Sequence, residues 1–242
     1  MNNKLSIILP VYNEKESLPI MVRLLNSSIK FETEILIIYD NINDNSVPEA
    51  KKLEKEFSNV RVIHNDIHTG VRFAIEKGVK EAKYEIILIT VVDEIFPIIS
   101  VDNMIKLIVN ENYDFISGTR YAKGGLRLGG SLLASILSRL ANKLFVLFTN
   151  FPISDCTTGI KMMKKEVWNN ISFESKPIGW VFAFELTIKV YLNNFKIEEV
   201  PMKCVDRLFG GSSTFKPLPW IKEYLRWFFW GIKRVRRSNK KK

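Results

Sequence analysis

Cysteine and histidine are scarce in this chain of 242 residues. It contains two cysteines, Cys156 and Cys204, and two histidines, His64 and His68. Two cysteines cannot form a disulfide scaffold, so the sequence predicts a reduced, cytoplasmic setting in which both cysteines pack in the core. The histidines stand four residues apart, a spacing that suits a metal pair only on a helix, and their surroundings are typical of a loop. We therefore assign no metal to them.

Long apolar runs are also missing. No stretch approaches the roughly 20 apolar residues of a membrane span, and the short apolar run near the N-terminus is interrupted by Pro10. The sequence therefore predicts neither a spanning helix nor a secretory signal. Apolar residues still make up 46% of the chain, which is enough to bury a sizeable core and excludes disorder for most of it.

Acidic residues are nearly absent from the C-terminal segment. Residues 216–242 contain ten Lys or Arg against one acid, Glu223, so they carry +9 of the net charge of +10. A protein that binds nucleic acid more often spreads its basic residues over a folded face, so we predict no nucleic-acid partner. The basic segment instead predicts contact with an anionic surface.

Short runs rich in Ile, Val and Leu alternate with helix-like stretches. Strands are predicted at 5–9, 35–38, 60–63, 86–89 and 115–116, and helices near 15–29, 47–57, 70–82 and 101–111. This alternation predicts an α/β fold with a mostly parallel sheet covered on both faces. Further along, a Gly-rich loop (123–130), helices near 131–148 and 180–194 and a strand near 197–203 are predicted. We expect one domain over 1–216, followed by a C-terminal segment, 217–242.

Polar side chains follow the predicted ends of the first four strands. After Pro10 they are Tyr12, Asn13 and Glu14; the later ones are Tyr39, Asp40, Asn41 and Asp44; His64, Asn65 and Asp66; and Thr90, Asp93 and Glu94. In open α/β sheets, ligands bind beyond the carboxyl ends of the strands. One such cluster is typical of a turn, but four at one edge of a sheet predict a ligand site.

Several motifs come in the order and spacing of a known family. They are ILPVYNE (8–14), Asp40 with Asp44, Asp93 after the fourth strand, SGTRY (117–121), DCTTGIKMMKKEV (155–167) and EVPMKCVDR (199–207). From about Leu5 to Lys216 the chain resembles glycosyltransferase family 2, and within it the polyprenyl-phosphate sugar transferases similar to dolichyl-phosphate mannose synthase. The resemblance implies a GT-A nucleotide-binding sandwich and a nucleotide-sugar donor, linked to GDP or UDP.

The resemblance assigns the donor to the first strands. The expected nucleotide contacts are Pro10, Tyr12, Glu14, Asp40 and Gly70. Carboxylate and backbone groups there can accept hydrogen bonds from ribose hydroxyls and from N–H groups of the base. Asp44 fits the family spacing as well, but as a turn-forming residue it is equally a structural candidate.

The resemblance also implies a divalent cation, Mg²⁺ or Mn²⁺, held by Asp93. Such a cation neutralises the charge that develops on a diphosphate leaving group. Most relatives carry Asp-X-Asp here, whereas this chain has Val91 in place of the first Asp. Glu94 is adjacent, but neighbouring residues of an extended chain point in opposite directions. Either the metal affinity is weaker than in relatives or the second ligand comes from elsewhere. The structural alternative for Asp93 is a helix cap or a turn residue.

Arginines are expected at the acceptor. A polyprenyl phosphate attacks through an oxygen that is already ionised, so it needs no strong general base, and arginine binds phosphate in a bidentate fashion. The candidates are Arg120, Arg139 and Arg207. Arg120 and Arg207 are alternatively partners in buried ion pairs. Relatives often have a basic pair where this chain has Ala134 and Ser135, and Arg127 in the preceding loop is a compensating candidate.

Two acids are candidates for contacts near the sugar. Asp155 begins a family motif, and its carboxylate can accept hydrogen bonds from sugar hydroxyls; the alternative is an Asx turn or a helix cap. Glu185 stands in a strongly apolar predicted helix, where an unpaired acid is costly to bury. It either pairs with Lys189 one turn later or orients the acceptor or the sugar.

Residues 220–242 place large apolar side chains at helical spacings. These residues are Trp220, Ile221, Tyr224, Leu225, Trp227, Phe228, Phe229 and Ile232. Aromatic residues beside Lys and Arg indicate a helix lying along a membrane, with its basic end favouring anionic headgroups. The alternative is a helix that covers the core and has a solvated basic end. We predict peripheral attachment at the cytoplasmic face of the membrane, with a membrane partner protein as a further expected partner.

The leading hypothesis is an inverting enzyme that moves a hexose from a nucleotide-sugar to a polyprenyl phosphate. On this hypothesis Asp93, Arg120, Asp155 and Arg207 form the catalytic set. One alternative is a glycosyltransferase acting on a saccharide hydroxyl in surface polysaccharide synthesis, which requires a general base. The other is a non-catalytic membrane-associated relative.

Overall fold

The computed structural model describes residues 4–94, 96–205 and 217–240. Its strands are β1 Lys4–Val11, β2 Glu32–Tyr39, β3 Val60–His64, β4 Ile86–Ile89, β5 Phe115–Thr119, β6 Leu126–Leu128, β7 Lys161–Lys164, β8 Ile197–Pro201 and β9 Lys203–Val205. Its α-helices are α1 Ser17–Ser28, α2 Ser46–Glu56, α3 Val71–Glu81, α4 Val101–Glu111, α5 Leu132–Thr149, α6 Lys165–Asn169, α7 Val181–Leu192 and α8 Pro217–Asn239. A 3-10 helix, Phe96–Ser100, precedes α4.

Seven strands form the central sheet in the order β3-β2-β1-β4-β7-β5-β8. β1 to β4 are parallel to one another, β5 and β8 are parallel, and β7 runs antiparallel between β4 and β5. The prediction of an α/β fold with a mostly parallel sheet is confirmed. β7 was not predicted, because its sequence KMMK lacks a continuous apolar run: Lys161 occupies a fully buried position. A second, two-stranded sheet pairs β6 with β9.

Apolar side chains cover both faces of the central sheet. Leu5, Ile7 and Leu9 of β1 pack in one cluster with residues of α1 and α4, whereas Ile8 points to the other face and packs with residues of α3 and α7. Because alternate residues of a strand face opposite sides, a strand buried on both sides must be apolar throughout. This is the physical reason why the continuous apolar runs located β1 to β4.

A third cluster joins α5, α7 and α8. Phe145 of α5, Phe184 of α7 and Trp227 and Phe228 of α8 are all buried in it. The interpretation of Trp227 and Phe228 as membrane-facing aromatics is therefore wrong, and the core-covering alternative holds for this face of α8. The predicted boundary at 216 falls in 206–216, outside the described residues.

Helix α5 differs from what the sequence predicted. It is 18 residues long with a mean hydropathy of 1.5, long and apolar enough by those two criteria to cross a membrane, and 17% of it is buried. The sequence predicted no such segment, since no stretch approaches roughly 20 consecutive apolar residues, and this one contains Arg139, Asn142 and Lys143. On a helix these three residues lie to one side of the apolar residues, so the helix as a whole stays apolar.

Candidate active site

A cavity of about 420 Å³ lies between the end of β4, the loop before β7, and helices α5 and α8. Its sheet side is polar and is lined by Asp93, Glu94, Arg120, Arg127, Thr157 and Thr158. Its helix side is mostly apolar and is lined by Leu137, Leu140, Ala141, Leu144, Phe184, Ile221, Leu225 and Phe228, together with Ser138 and Tyr224. The cavity therefore suits a ligand that combines a charged group with a hydrocarbon.

Arg120 follows β5 and is held by Asp155 in a bidentate ion pair. Its Nε donates to Oδ2 of Asp155 at 2.7 Å, and its Nη2 donates to Oδ1 at 3.0 Å. The backbone N–H of Arg120 donates to the same carboxylate at 3.2 Å. The Asp155 side chain is fully buried, and it also accepts from the backbone N–H of Thr157, so the predicted Asx turn is present. Asp155 thus positions Arg120, which lines the cavity, whereas Asp155 does not.

The two charges of this pair stabilise each other. Burial would lower the pKa of Arg120 and raise that of Asp155, because it disfavours the charged forms. The attraction between the two groups outweighs burial, so the pKa of Arg120 is raised and that of Asp155 is lowered from their usual values. Arg120 therefore presents a fixed positive charge to the cavity at neutral pH.

Polar residues on the inner face of α5 bind the loop that carries Asp155. Asn142 Nδ2 donates to Thr157 Oγ1 at 3.0 Å, and Asn142 Oδ1 accepts from the Cys156 backbone N–H at 2.8 Å. Ser138 Oγ lies 2.8 Å from both Thr157 Oγ1 and the Tyr121 hydroxyl. These contacts were not predicted. The available signal was a serine and an asparagine one turn apart on a mostly apolar helix.

Of the predicted phosphate-binding arginines, Arg120 and the compensating candidate Arg127 line the cavity. Arg127 lies in β6, in register with Cys204 of β9. Arg139 is exposed on α5, and its guanidinium carbon is 5.9 Å from the centre of the Tyr121 ring. Arg207 lies outside the described residues.

Asp93 and Glu94 both line the sheet side of the cavity. The expectation that adjacent residues point apart assumed an extended strand, but β4 ends at Ile89, before this segment. Within the described parts of the chain, no group of three or more His, Cys, Asp or Glu is placed to hold a metal ion. A cation at Asp93 would therefore take its remaining ligands from substrate phosphates and water, which is how Mg²⁺ is usually bound. The residues present fit such a site.

Asp40 ties the end of β2 to the loop between β3 and α3. Its Oδ1 accepts from Asn65 Nδ2 at 2.7 Å, and its Oδ2 accepts from the Gly70 backbone N–H at 2.7 Å. Asn65 Nδ2 also donates to the His68 carbonyl at 2.7 Å. Gly70 has φ of 124°, a conformation that favours glycine. Both oxygens of Asp40 have further lone pairs for a ligand at this edge.

Asp44 fixes the turn that follows β1. Both of its carboxylate oxygens accept from the Asn13 backbone N–H, at 3.1 and 3.0 Å, and Oδ1 also accepts from the Ser46 N–H at 2.8 Å. Ser46 Oγ accepts from the Glu14 backbone N–H at 2.8 Å. Asp44 is 6% exposed, so its role is to shape the loop that carries Tyr12 and Glu14. Of the two roles that the sequence suggested for Asp44, the structure shows that of a turn-forming residue.

The remaining predicted donor residues lie at the same edge of the sheet. Pro10 is in β1, opposite Ile38 of β2, and the Tyr12 side chain is 62% exposed beyond it. These residues, with Asp40 and Gly70, are brought together by the parallel pairing of β1, β2 and β3. They do not line the cavity that contains Asp93.

Two buried acids hold the loop between α6 and α7. Glu185 accepts from the backbone N–H groups of Glu174 and Ser175 at 2.7 and 2.9 Å, and it forms an ion pair with Lys189 at 2.7 Å. Glu223 of α8 accepts from a third N–H of this loop at 3.1 Å. The predicted alternative for Glu185, an ion pair one turn apart, is confirmed.

This loop connects the donor edge with the cavity. A Cβ atom placed on Gly70 would lie 3.8 Å from the Pro177 carbonyl oxygen, so the loop borders the residue that binds Asp40. At its other end, a Cβ atom on Gly179 would lie 2.0 Å from the Trp220 ring, which lines the cavity. Gly179 also has φ of 49°, so both space and backbone require glycine there.

Comparisons with known proteins agree with this architecture. Residues 6–171 match the family described as glycosyl transferase family 2. The solved structure of glucosyl-3-phosphoglycerate synthase from Mycobacterium tuberculosis, in complex with Mn²⁺, UDP-glucose and phosphoglyceric acid, aligns with a TM-score of 0.67. It is 14% identical, and the alignment covers 96% of this chain and 80% of that one. The GT-A fold is thereby confirmed.

Curated relatives are similar over most of the chain. A dolichol-phosphate mannosyltransferase from Pyrococcus furiosus is 27% identical over 93% of this chain and 64% of its own length. One from Mycosarcoma maydis is 29% identical over 93% of this chain and 80% of its own. A polyprenol monophosphomannose synthase from Mycolicibacterium smegmatis is 26% identical over 85% and 79%. The chain thus spans a little under two thirds of the archaeal relative and about four fifths of the other two.

The match covers more than half of the chain and includes the strand ends that carry Asp40 and Asp93. The resemblance seen in the motifs is confirmed. This chain belongs to glycosyl transferase family 2.

Proposed function

We propose that the protein is an inverting glycosyltransferase that moves a hexose from a nucleotide-sugar to a polyprenyl phosphate at a membrane. The observation that carries this proposal is the two-sided cavity. Two arginines stand on its sheet side, and its helix side is formed by apolar residues of α5 and α8. A saccharide acceptor would be held by polar groups on every side, whereas a lipid phosphate needs a cationic group beside an apolar wall.

The acceptor phosphate is placed against Arg120 and Arg127. Arg120 is locked by its bidentate bond to Asp155, so it can stabilise a phosphate without first being ordered. Arg207, predicted to join them, remains a prediction. An ionised phosphate oxygen is itself the nucleophile, so the reaction needs no general base. It attacks the anomeric carbon from the face opposite the leaving nucleoside diphosphate, which inverts that carbon.

The donor is placed along the edge formed by Pro10, Tyr12, Glu14, Asp40 and Gly70. From there its diphosphate extends to Asp93 and Glu94, the carboxylates that would hold Mg²⁺ or Mn²⁺. When bound, such a cation neutralises the charge that develops on the leaving diphosphate. The Mycobacterium tuberculosis synthase was crystallised with Mn²⁺ and UDP-glucose, and with Mg²⁺ and UDP, which supports a divalent cation as cofactor.

The names of the curated relatives favour the lipid acceptor over a saccharide. A polyprenyl phosphate resides in a bilayer, so the enzyme is expected to work at a membrane surface. The finer expectations also belong to this proposal: peripheral attachment at the cytoplasmic face, a contribution of α8 to it, and a membrane partner protein.

The decisive experiment incubates the purified protein with Mn²⁺, radiolabelled GDP- or UDP-hexoses and dolichyl or undecaprenyl phosphate. We expect label in the lipid fraction. Label only in a saccharide product would support the alternative acceptor, and the absence of turnover with every pair would support a non-catalytic relative.

Asp93→Asn tests the metal assignment in the same assay. We expect turnover to fall about a hundredfold or more, since a carboxylate that holds the charge-neutralising cation is lost. The matched control is Ile99→Ala, a 74% exposed residue of the 3-10 helix, which should keep full activity. Unchanged turnover and metal dependence in Asp93→Asn would refute the assignment.

A further inference from the structure

The polarity of helix α5 is reversed relative to a surface helix of a globular protein. Asn142 and Thr149 are buried on its inner face, with Phe145 between them. Thr149 Oγ1 donates to the Phe145 carbonyl, and Asn142 binds the loop before β7. A helix at a protein–water boundary normally buries its apolar face and exposes its polar one. The outer face of α5 therefore needs an explanation.

The outer face of α5 is an apolar stripe. It consists of Leu132, Leu133, Ile136, Leu140, Leu147 and Phe148, which are 79%, 54%, 63%, 51%, 68% and 46% exposed. Steps of four and seven residues connect most of these positions, so they lie on one side of the helix. Large apolar side chains that are contiguous and exposed mark an interaction surface, whereas single ones do not.

The outward face of α8 continues this surface. Leu218, Leu225 and Phe229 are 83%, 47% and 65% exposed and follow one another at helical spacings. Leu140 of α5 and Leu225 of α8 both line the cavity and are both about half exposed, so the cavity reaches the surface between the two helices.

Basic side chains border the apolar surface. Arg139 and Lys143 are exposed on one edge of the α5 stripe, one turn apart. On α8 the outward face turns from apolar to basic toward the C-terminus, at Lys233, Arg236 and Lys240. Apolar residues flanked by cations are typical of a helix that lies in the interface of a bilayer with anionic headgroups.

We propose that the α5 stripe is the main membrane-docking surface of this protein and that the outward face of α8 supports it. The occupant is a lipid bilayer containing anionic lipids. α5 lies along the interface and does not cross it, because its inner face is packed on the protein through Asn142, Phe145 and Thr149. This inference rests on the proposed function, since it places the mouth of the cavity against the lipid phase that holds the acceptor.

Flotation with lipid vesicles tests the surface. The variant combines Ile136→Glu and Leu147→Glu, two exposed stripe residues that do not line the cavity. Its control is Ile99→Glu, an equally exposed apolar residue far from α5 in sequence. With vesicles of phosphatidylcholine and phosphatidylglycerol, we expect the wild type and the control to float and binding of the double variant to fall about tenfold or more. Equal flotation of all three would overturn the proposal.

An environment-sensitive dye gives a readout that does not depend on a destabilising substitution. Cys156 and Cys204 are buried, so a dye can be directed to Leu147→Cys or, as control, to Ile99→Cys. Addition of the same vesicles should shift the emission of the dye at 147 to the blue and leave the dye at 99 unchanged. A blue shift that depends on protein concentration without vesicles would identify a second copy as the occupant and overturn the proposal.

Turnover separates this inference from the proposed function. With a short, water-soluble polyprenyl phosphate the double variant should match the wild type, and with a long-chain acceptor in vesicles it should lose most of its activity. Equal loss on both acceptors would overturn the docking role. If the wild type turns over neither acceptor, the proposed function fails, while flotation and the dye still decide the docking surface.

Discussion

The donor edge and the acceptor side of this protein are built by opposite means. At the donor edge, backbone N–H groups of two loops are held by Asp40, Asp44 and Ser46 through hydrogen bonds of 2.7 to 3.0 Å. The acceptor side is formed by the helix side of the cavity and by the exposed α5 stripe, where apolar contact dominates. A site for a rigid polar ligand requires fixed hydrogen-bonding groups, whereas a site for a flexible hydrocarbon requires only shape and the exclusion of water.

The Arg120–Asp155 pair belongs to the polar, sheet side of the cavity, through Arg120. Like the donor edge it relies on charge-assisted hydrogen bonds, but it is almost fully buried and is bound to α5 through Thr157 and Asn142. The comparison therefore predicts that substitutions in the pair affect the fold, whereas substitutions in either flanking region affect one substrate only.

Asp155→Ala should have the largest effect. It leaves the Arg120 guanidinium buried without its partner, which we expect to cost about 3–5 kcal/mol of unfolding free energy. Chemical denaturation monitored by tryptophan fluorescence would measure it. Arg61→Ala is the control, because Arg61 also pairs with a buried acid, Glu34, but its own side chain is 32% exposed. If Asp155→Ala lowers the free energy of unfolding no more than Arg61→Ala does, the Arg120–Asp155 pair is not more important for the fold than an ordinary ion pair.

Ala141→Phe should act on the acceptor side alone. Ala141 lines the helix side of the cavity, and a phenyl ring there occupies space meant for hydrocarbon. We expect the KM for a long-chain acceptor to rise about tenfold and the KM for the donor to stay constant, measured by steady-state kinetics. Ala134→Ser, a smaller change in the same lining, serves as control. A rise in the KM for the donor would place the donor in this cavity as well.

Asp40→Asn should act on the donor edge alone. The amide keeps the size of the side chain but loses the negative charge that accepts from Asn65 and Gly70. We expect donor affinity to fall about five- to tenfold, since a charge-assisted hydrogen bond is worth about 1–1.4 kcal/mol more than its neutral replacement. Calorimetric titration with the nucleoside diphosphate measures it. Unchanged affinity would show that the nucleotide does not bind at Asp40.

Lys161 provides the smallest and most specific test. Its ammonium donates to Ser117 Oγ at 2.6 Å, and burial lowers the pKa of Lys161 from 10.5 to about 8. Between these two values the unfolded chain holds more protons than the folded one, so stability rises with pH there, by at most about 1.4 kcal/mol per pH unit. Below pH 8 both states are protonated and Lys161 contributes no slope.

Lys161→Met should abolish this rise of stability with pH, while Lys164→Met, a partly exposed neighbour on the same strand that pairs with Asp114, should leave it intact. Urea unfolding at several pH values between 8 and 10.5 compares the two variants with the wild type. A rise that persists in Lys161→Met would show that another group causes it.

Local pattern was sufficient for most of the fold and for the donor edge. β1 to β4 and α1 to α4 were predicted within a few residues, because each strand contains a short run rich in apolar residues and each connection is helical. The convergence of Asp40, Gly70 and Tyr12 followed from the parallel order of the strands, and the order of motifs identified the family. These features depend on residues close in sequence or on one general rule of sheet topology.

Contacts between segments far apart in the chain could not be predicted from the sequence. No pattern showed that Asp155 and Arg120 would pair across 35 residues, or that Asp93 and Glu94 would face one cavity once the chain left β4. β7 could not be predicted because Lys161 breaks its apolar run. The burial of Lys161 depends on a hydrogen bond to Ser117 of the neighbouring strand.

The amino-acid sequence by itself determined the α/β architecture, the family and the edge of the sheet where a nucleotide is expected. Only the tertiary structure decided which apolar side chains are covered. Trp227 and Phe228 of α8 are buried because α7 and α5 pack over them, and the apolar residues of α5 stay exposed because its polar face is the one that the fold uses. Hydrophobicity is a property of each residue, but burial is a property of the neighbours that the fold brings to it.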